Sequence, residues 1–155
     1  MAIQLDHLDA RLLEMLSDRL GVLEMARRLG VARGTVQARL DKLIARGAIR
    51  GFGPDVAPES IGFGVTSFVT PEISQRYGHT AVARHLADIP EVLEAHTITG
   101  SGDVHCRVVA RSNTDLQRVI DRILSFEGIL RAATIIALAE LIPYRVMPLV
   151  HEAAK

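Results

Sequence analysis

Residues 22–46, VLEMARRLGVARGTVQARLDKLIAR, constrain this chain more than any other stretch. Leu23, Ala26 and Leu29 recur at helical spacing and predict one face of a short helix. Gly30 stops that helix, because glycine takes the positive φ that a tight exit requires. Val36, Leu40, Leu43 and Ile44 then predict a second amphipathic helix. Two helices joined by a glycine-bearing turn, the second with cations facing outward, make a helix-turn-helix. The pattern offers Arg33, Thr35, Gln37, Ala38, Arg39 and Lys42 to a DNA major groove. Gly34, in the first turn of the second helix, costs about 1 kcal/mol relative to alanine. It either lets the backbone approach a phosphate or base edge, or marks a helix that starts a residue or two late.

Charge agrees with the pattern. Between residues 20 and 50 the cations are Arg27, Arg28, Arg33, Arg39, Lys42, Arg46 and Arg50, against Glu24 and Asp41. The 155-residue chain is formally neutral, so this local excess is balanced elsewhere, and a local field is what phosphate binding needs. Arg33, Thr35, Gln37 and Arg39 are read as base contacts, and Arg28, Lys42 and Arg46 as phosphate holders. The competing reading is an ordinary solvated helical face.

Upstream, Asp6 or Asp9 caps a first helix through Leu8, Leu12, Leu13 and Leu16, which closes a three-helix core. Ala32 stands where Ser or Thr usually caps a recognition helix. Residues 48–52 read as a short strand, and Pro54 and Pro58 bracket a linker. The expected domains are 1–52 (helix-turn-helix, winged-helix-like), 53–61 (linker), 62–147 and a tail at 148–155.

The second half alternates in type. Strands are expected over 63–69, 92–99, 103–110 and within 129–142, and helices over 79–89 and from a cap at Asn113 or Thr114. Pro143 and Pro148 are expected to prevent a regular helix afterwards. The order βαββαβ is ferredoxin-like, a four-stranded antiparallel sheet with helices on one face, which makes the fold class α+β. The other face, expected to carry Ile98, Val109, Ile136 and Leu138, needs a cover, and a second copy of the chain is the economical one.

The segments LDHLDARLLEML, LEMARRLGVARGTVQARLDKLIARGAIRGF, PEVLEAHTITGSGDV and GILRAATIIAL resemble Lrp/AsnC (feast/famine) transcriptional regulators over residues 5–141, in order and spacing. The resemblance implies a linker strand paired with a dimer mate, a C-terminal effector-binding and oligomerisation domain, and amino-acid effectors bound between C-terminal domains. It implies dimers, dimers of dimers or larger rings. The sequence departs from the family at Ala32, in place of serine. It departs again at Gly102, Asp103, Val104 and His105, where the family has glycine, aspartate, aromatic, aspartate.

These features define the expected effector site: Gly100, Ser101, Gly102, Asp103 and Val104 at the hairpin turn, with Thr134 and Ile136 on the face that also holds His105 and Arg107. Val104 in place of the aromatic implies a roomier pocket. His105 in place of an acid implies an effector that is not strongly basic. No cofactor and no catalytic residue is expected, since no nucleophile, base and orienting acid share a motif. A metal site is not expected either: Cys106 and His105 point to opposite faces, and His96 with His105 does not complete a zinc site.

The partners expected are double-stranded DNA, an amino-acid-like effector and further copies of the chain, in the cytoplasm and without a membrane. The alternatives are a metal-responsive repressor and a small-molecule sensor acting through protein contacts.

Overall fold

The computed structural model describes residues 3–155, so the first two residues of the expected 1–52 domain lie outside the described residues. The chain forms two compact units. One runs up to Pro54 and includes Ile142–Lys155, and the other is Asp55–Leu141.

The first unit begins with α1 (His7–Ser17), α2 (Val22–Leu29) and α3 (Arg33–Ala45). Both candidate caps of α1 act together. The Asp6 carboxylate accepts the Asp9 N–H at 2.8 Å, and the Asp9 carboxylate accepts the Asp6 N–H at 3.2 Å, a reciprocal capping box. Leu12, Met15, Met25, Ala26, Val36 and Leu40 form the core, with Leu8, Leu16, Leu20 and Leu29 packed around it. Gly30 ends α2 at φ 65°, the left-handed conformation its sequence position requires. Ala32 leaves the start of α3 without a side-chain cap.

Two expectations for this unit are corrected. Residues 48–52 form no strand within the chain: the Ala48 and Ile49 N–H groups both donate to Leu43 O, which bends the segment back onto the end of α3. Pro143 and Pro148 do not exclude a further helix. Met147–Ala153 is α6, with Pro148 in its first turn, where a missing N–H leaves no hydrogen bond unmade. The segment read as a tail at 148–155 is therefore largely helical and packs against α1.

The second unit is β1 (Val65–Ile73), α4 (Gly78–Ala87), β2 (Val92–Thr97), β3 (Val104–Ala110), α5 (Asn113–Leu124) and β4 (Ile129–Ile136). Its antiparallel sheet has the order β2-β3-β1-β4, the ferredoxin-like arrangement. The cap of α5 is Ser112, whose Oγ accepts the Asp115 N–H at 3.1 Å, rather than Asn113 or Thr114.

Register sorts the side chains. Val69 lies opposite Cys106 on one side and Thr134 on the other, while Phe68 lies opposite Arg107 and Ile135. The Val69 face packs under α4 and α5 through Val82, Leu86, Leu116, Val119 and Ile123. Directly paired residues share a face, so the open face carries Thr66, Phe68, Thr70, His105, Arg107, Val109, Glu94, His96, Ala133 and Ile135. Val109 is where it was expected. Ile136 is not: it sits opposite Ser67, with the helix-side residues, and Ile135 takes its place at 65% exposure. Leu138 follows the end of β4 and is 98% exposed.

Cys106 is fully buried on the helix side, and burial pushes its thiol up to about 11. The native protein should therefore be inert to an aromatic disulfide reagent at pH 8 and release one equivalent of thiolate only in denaturant. Rapid native labelling would contradict this packing.

Candidate nucleic-acid interface

The recognition surface is built by the inward set of α3. Val36, Leu40 and Leu43 are buried, which turns Gly34, Thr35, Gln37, Ala38 and Lys42 to solvent. Arg33 and Arg46 are also exposed at its two ends. Among the described residues no ion pair engages Arg33, Lys42 or Arg46. Lys42 and Arg46 line a polar cleft of about 320 Å³ with Gln4, Leu5 and Asp6. Arg28 is paired with Glu24 at 2.8 Å and Arg27 with the same carboxylate at 3.5 Å. Both are exposed helical pairs of the kind that phosphate displaces at little cost.

Arg39, expected as a base contact, is instead engaged within the unit. Its Nη1 donates to Asp9 Oδ1 at 2.9 Å and to Asp6 Oδ2, so the guanidinium is turned back onto the start of α1. Asp9 is buried, and the Asp6 carboxyl is held below its usual range chiefly by that hydrogen bond from Arg39. The same two contacts raise Arg39 further above its ordinary value. The capping box that starts α1 is thus also the anchor that fixes α3. The charge count gave no sign of this, because it requires knowing that Asp6 and Arg39 are neighbours.

The expected effector residues are brought together only in part. Gly100 and Gly102 take φ of 109° and 92°, and a Cβ on Gly102 would stand 2.5 Å from Thr70 Cγ2. Asp103 Oδ2 accepts the Ile73 N–H at 2.8 Å, and the Asp103 N–H donates to Pro71 O at 3.0 Å, so Asp103 braces the end of β1. Val104 is buried on the helix side, where it walls an apolar cleft of about 100 Å³ with Val82, Leu86, Ala95 and Thr97. Thr134 and Ile136 are exposed but lie across the sheet from His105 and Arg107, not beside them. β4 is offset by one residue from the register that sequence alternation suggests, which exchanges its two faces.

On the open face the His105 ring stacks on Phe68 at 5.5 Å, and its Nδ1 is 3.1 Å from Thr70 Oγ1. His96 lies directly opposite His105. Among the described residues no three His, Cys, Asp or Glu side chains are placed to hold a metal ion, and no helix is long and apolar enough to cross a membrane.

A helix-turn-helix with a bare cationic recognition surface, carried with a separate ferredoxin-like unit, defines a two-part DNA-binding regulator. Comparison with known proteins agrees. Residues 5–50 match the winged helix-turn-helix DNA-binding family, and residues 65–147 match the Lrp/AsnC ligand binding domain family. The regulatory protein AsnC of Escherichia coli strain K12 is 31% identical over 93% of this chain and 97% of its own. The solved structure of E. coli AsnC superposes with a TM-score of 0.86 at 30% identity, over 94% of this chain and 100% of that one. A transcriptional regulator of Neisseria meningitidis in complex with L-methionine gives 0.82 at 26% identity, over 96% and 99%. The chain belongs to the Lrp/AsnC family of transcriptional regulators, and it is a DNA-binding regulator rather than an enzyme.

Arg39→Ala should lower the stability of the first unit by about 1 kcal/mol, the value of a charge-assisted pair discounted for partial exposure. It should weaken all DNA sequences alike rather than relax one base position. Because Asp6 is lowered in the folded state, its contribution is present above about pH 4 and lost as pH falls through the folded value. Acid titration of thermal stability should show that loss in the wild type and a flatter curve in Arg39→Ala. Equal acid sensitivity in both would contradict the anchor.

Proposed function

We propose that this chain acts in the cytoplasm as a two-fold symmetric, amino-acid-responsive regulator that binds double-stranded DNA through α3. The observation that carries this reading is the pairing of a solvated cationic recognition helix with a sheet that has helices on one face only. Phe68 and Ile135 on the bare face, with Phe52 and the linker residue Val56 at 66% and 52% exposure, supply apolar surface for a second copy. Effector binding would shift the geometry of that assembly and with it the spacing of the two recognition helices.

The response to an amino acid is supported by relatives. Besides the N. meningitidis regulator, the feast or famine regulatory protein of Mycobacterium tuberculosis, 25% identical with a TM-score of 0.80, was solved with L-methionine. We assign the effector to the rim formed by Gly100, Ser101, Gly102 and Asp103. There the backbone N–H groups of Ser101 and Gly102 face a ligand carboxylate and the second Asp103 oxygen faces its ammonium, while the Asp103 N–H stays with Pro71 O. Val104 is withdrawn from this site by its burial. Thr134 and Ile136 contribute only if they come from another copy.

Three measurements test the reading. DNA binding should weaken steeply with salt, and Lys42→Ala should lower the log–log slope by about one unit. A salt-independent complex would favour protein contact instead. Ile135→Asp should convert the assembly to monomer in light scattering, because an unpaired buried carboxylate costs several kcal/mol. An unchanged dimer would place the interface elsewhere. Asp103→Ala should abolish the rise in melting temperature given by L-methionine and also lower basal stability by about 1 kcal/mol, since the Ile73 N–H loses its acceptor. A retained L-methionine response would remove the rim from the effector site.

A further inference from the structure

From the outward side of α3 we infer that Gln37 reads an adenine in each half-site, and that Asp41 is the positioning residue that orients it. The inference rests on the reading of α3 as the DNA-recognition helix and adds the base it selects. Gln37 and Asp41 are one helical turn apart, both exposed, and Gln37 Nε2 donates to Asp41 Oδ1 at 2.9 Å. A carboxylate at neutral pH only accepts, so the amide must turn its NH2 toward Asp41. That choice fixes the flip that a solvent-facing glutamine otherwise leaves open.

With one N–H committed, the amide presents one remaining N–H donor and the Oε1 acceptor. Adenine shows an N7 acceptor and an N6–H donor in the major groove, and the two sets match as a bidentate pair. Guanine shows two acceptors at that edge and would meet both Oε1 and the Asp41 charge. Thymine shows an acceptor and a methyl group, and cytosine a donor alone. Gly34 and Ala38 share the exposed side of the helix and extend no side chain beyond a methyl group, so the amide can reach the base edge. Arg39, the longer and more basic candidate, is held by Asp6 and Asp9.

The test is selection from a random double-stranded DNA library with the full chain, its Gln37→Ala variant and its Asp41→Ala variant. Both positions are exposed and alanine is the strongest helix former, so folding is retained. The wild type should enrich paired half-sites with adenine at one fixed position, preferred over other bases by roughly 5- to 150-fold. Gln37→Ala should flatten that position and leave the others unchanged. Asp41→Ala should narrow discrimination at the same position while binding to unrelated DNA stays equal or rises, since an anionic group has left the phosphate surface. An unchanged Gln37→Ala profile, a base other than adenine at the altered position, or an Asp41→Ala effect at a different position would each overturn the assignment. If the wild type enriches no sequence, the reading of α3 itself fails and the assignment falls with it.

Discussion

A β-sheet has two faces, and this chain carries helices for one of them. The alternation along β1 makes the division sharp: Ser67, Val69, Pro71 and Ile73 are buried, while Thr66, Phe68, Thr70 and Glu72 are only partly covered. α4 and α5 seal the first set with Val82, Leu86, Leu116, Val119 and Ile123. The second set is neither wholly apolar nor wholly polar. Phe68 and His105 stack, Glu72 pairs with Arg131 at 2.8 Å, and Ile135 stands open beside them. A surface of that mixture suits an interface with a second copy better than permanent exposure to water. Most of the proposed function follows from this one asymmetry, because the proposed two-fold assembly would bring two recognition helices to one DNA.

The cations of the first unit divide into separate tasks that charge alone does not distinguish. Arg39 holds α3 to the N-terminus of α1, and the anchoring acids are the same Asp6 and Asp9 that start that helix. Arg27 and Arg28 share Glu24. Arg33, Lys42 and Arg46 are left to solvent without an ion pair among the described residues. In the proposed reading base selection falls to short or neutral side chains, Gln37 with its Asp41 partner among them.

Much of this architecture was legible in the sequence for simple reasons. Helical spacing of Leu23, Ala26 and Leu29, then of Val36, Leu40 and Leu43, identifies α2 and α3, and Gly30 marks the turn between them. The βαββαβ order follows from alternating period and turn residues. What escaped has physical causes too. Register is a tertiary property, so sequence alternation points Ile136 to the face that Ile135 occupies, and a slip of one residue reverses a strand. Pro148 suggests a breaker by residue type alone, although at the first turn of a helix it is a starter. The withdrawal of Arg39 and the bracing role of Asp103 depend on partners 30 residues away in sequence, which local pattern cannot reveal.

The central claim is that two copies of this chain present two recognition helices to DNA at a fixed separation. The most direct measurement is affinity for a series of synthetic duplexes in which two identical half-sites are moved apart one base pair at a time, at constant salt. Affinity should peak at centre-to-centre spacings of about 10–10.5 base pairs or a multiple and fall between them, because half a turn puts the second half-site on the opposite side of the helix. Affinity that ignores spacing, or equals that of a single half-site throughout, would contradict the account.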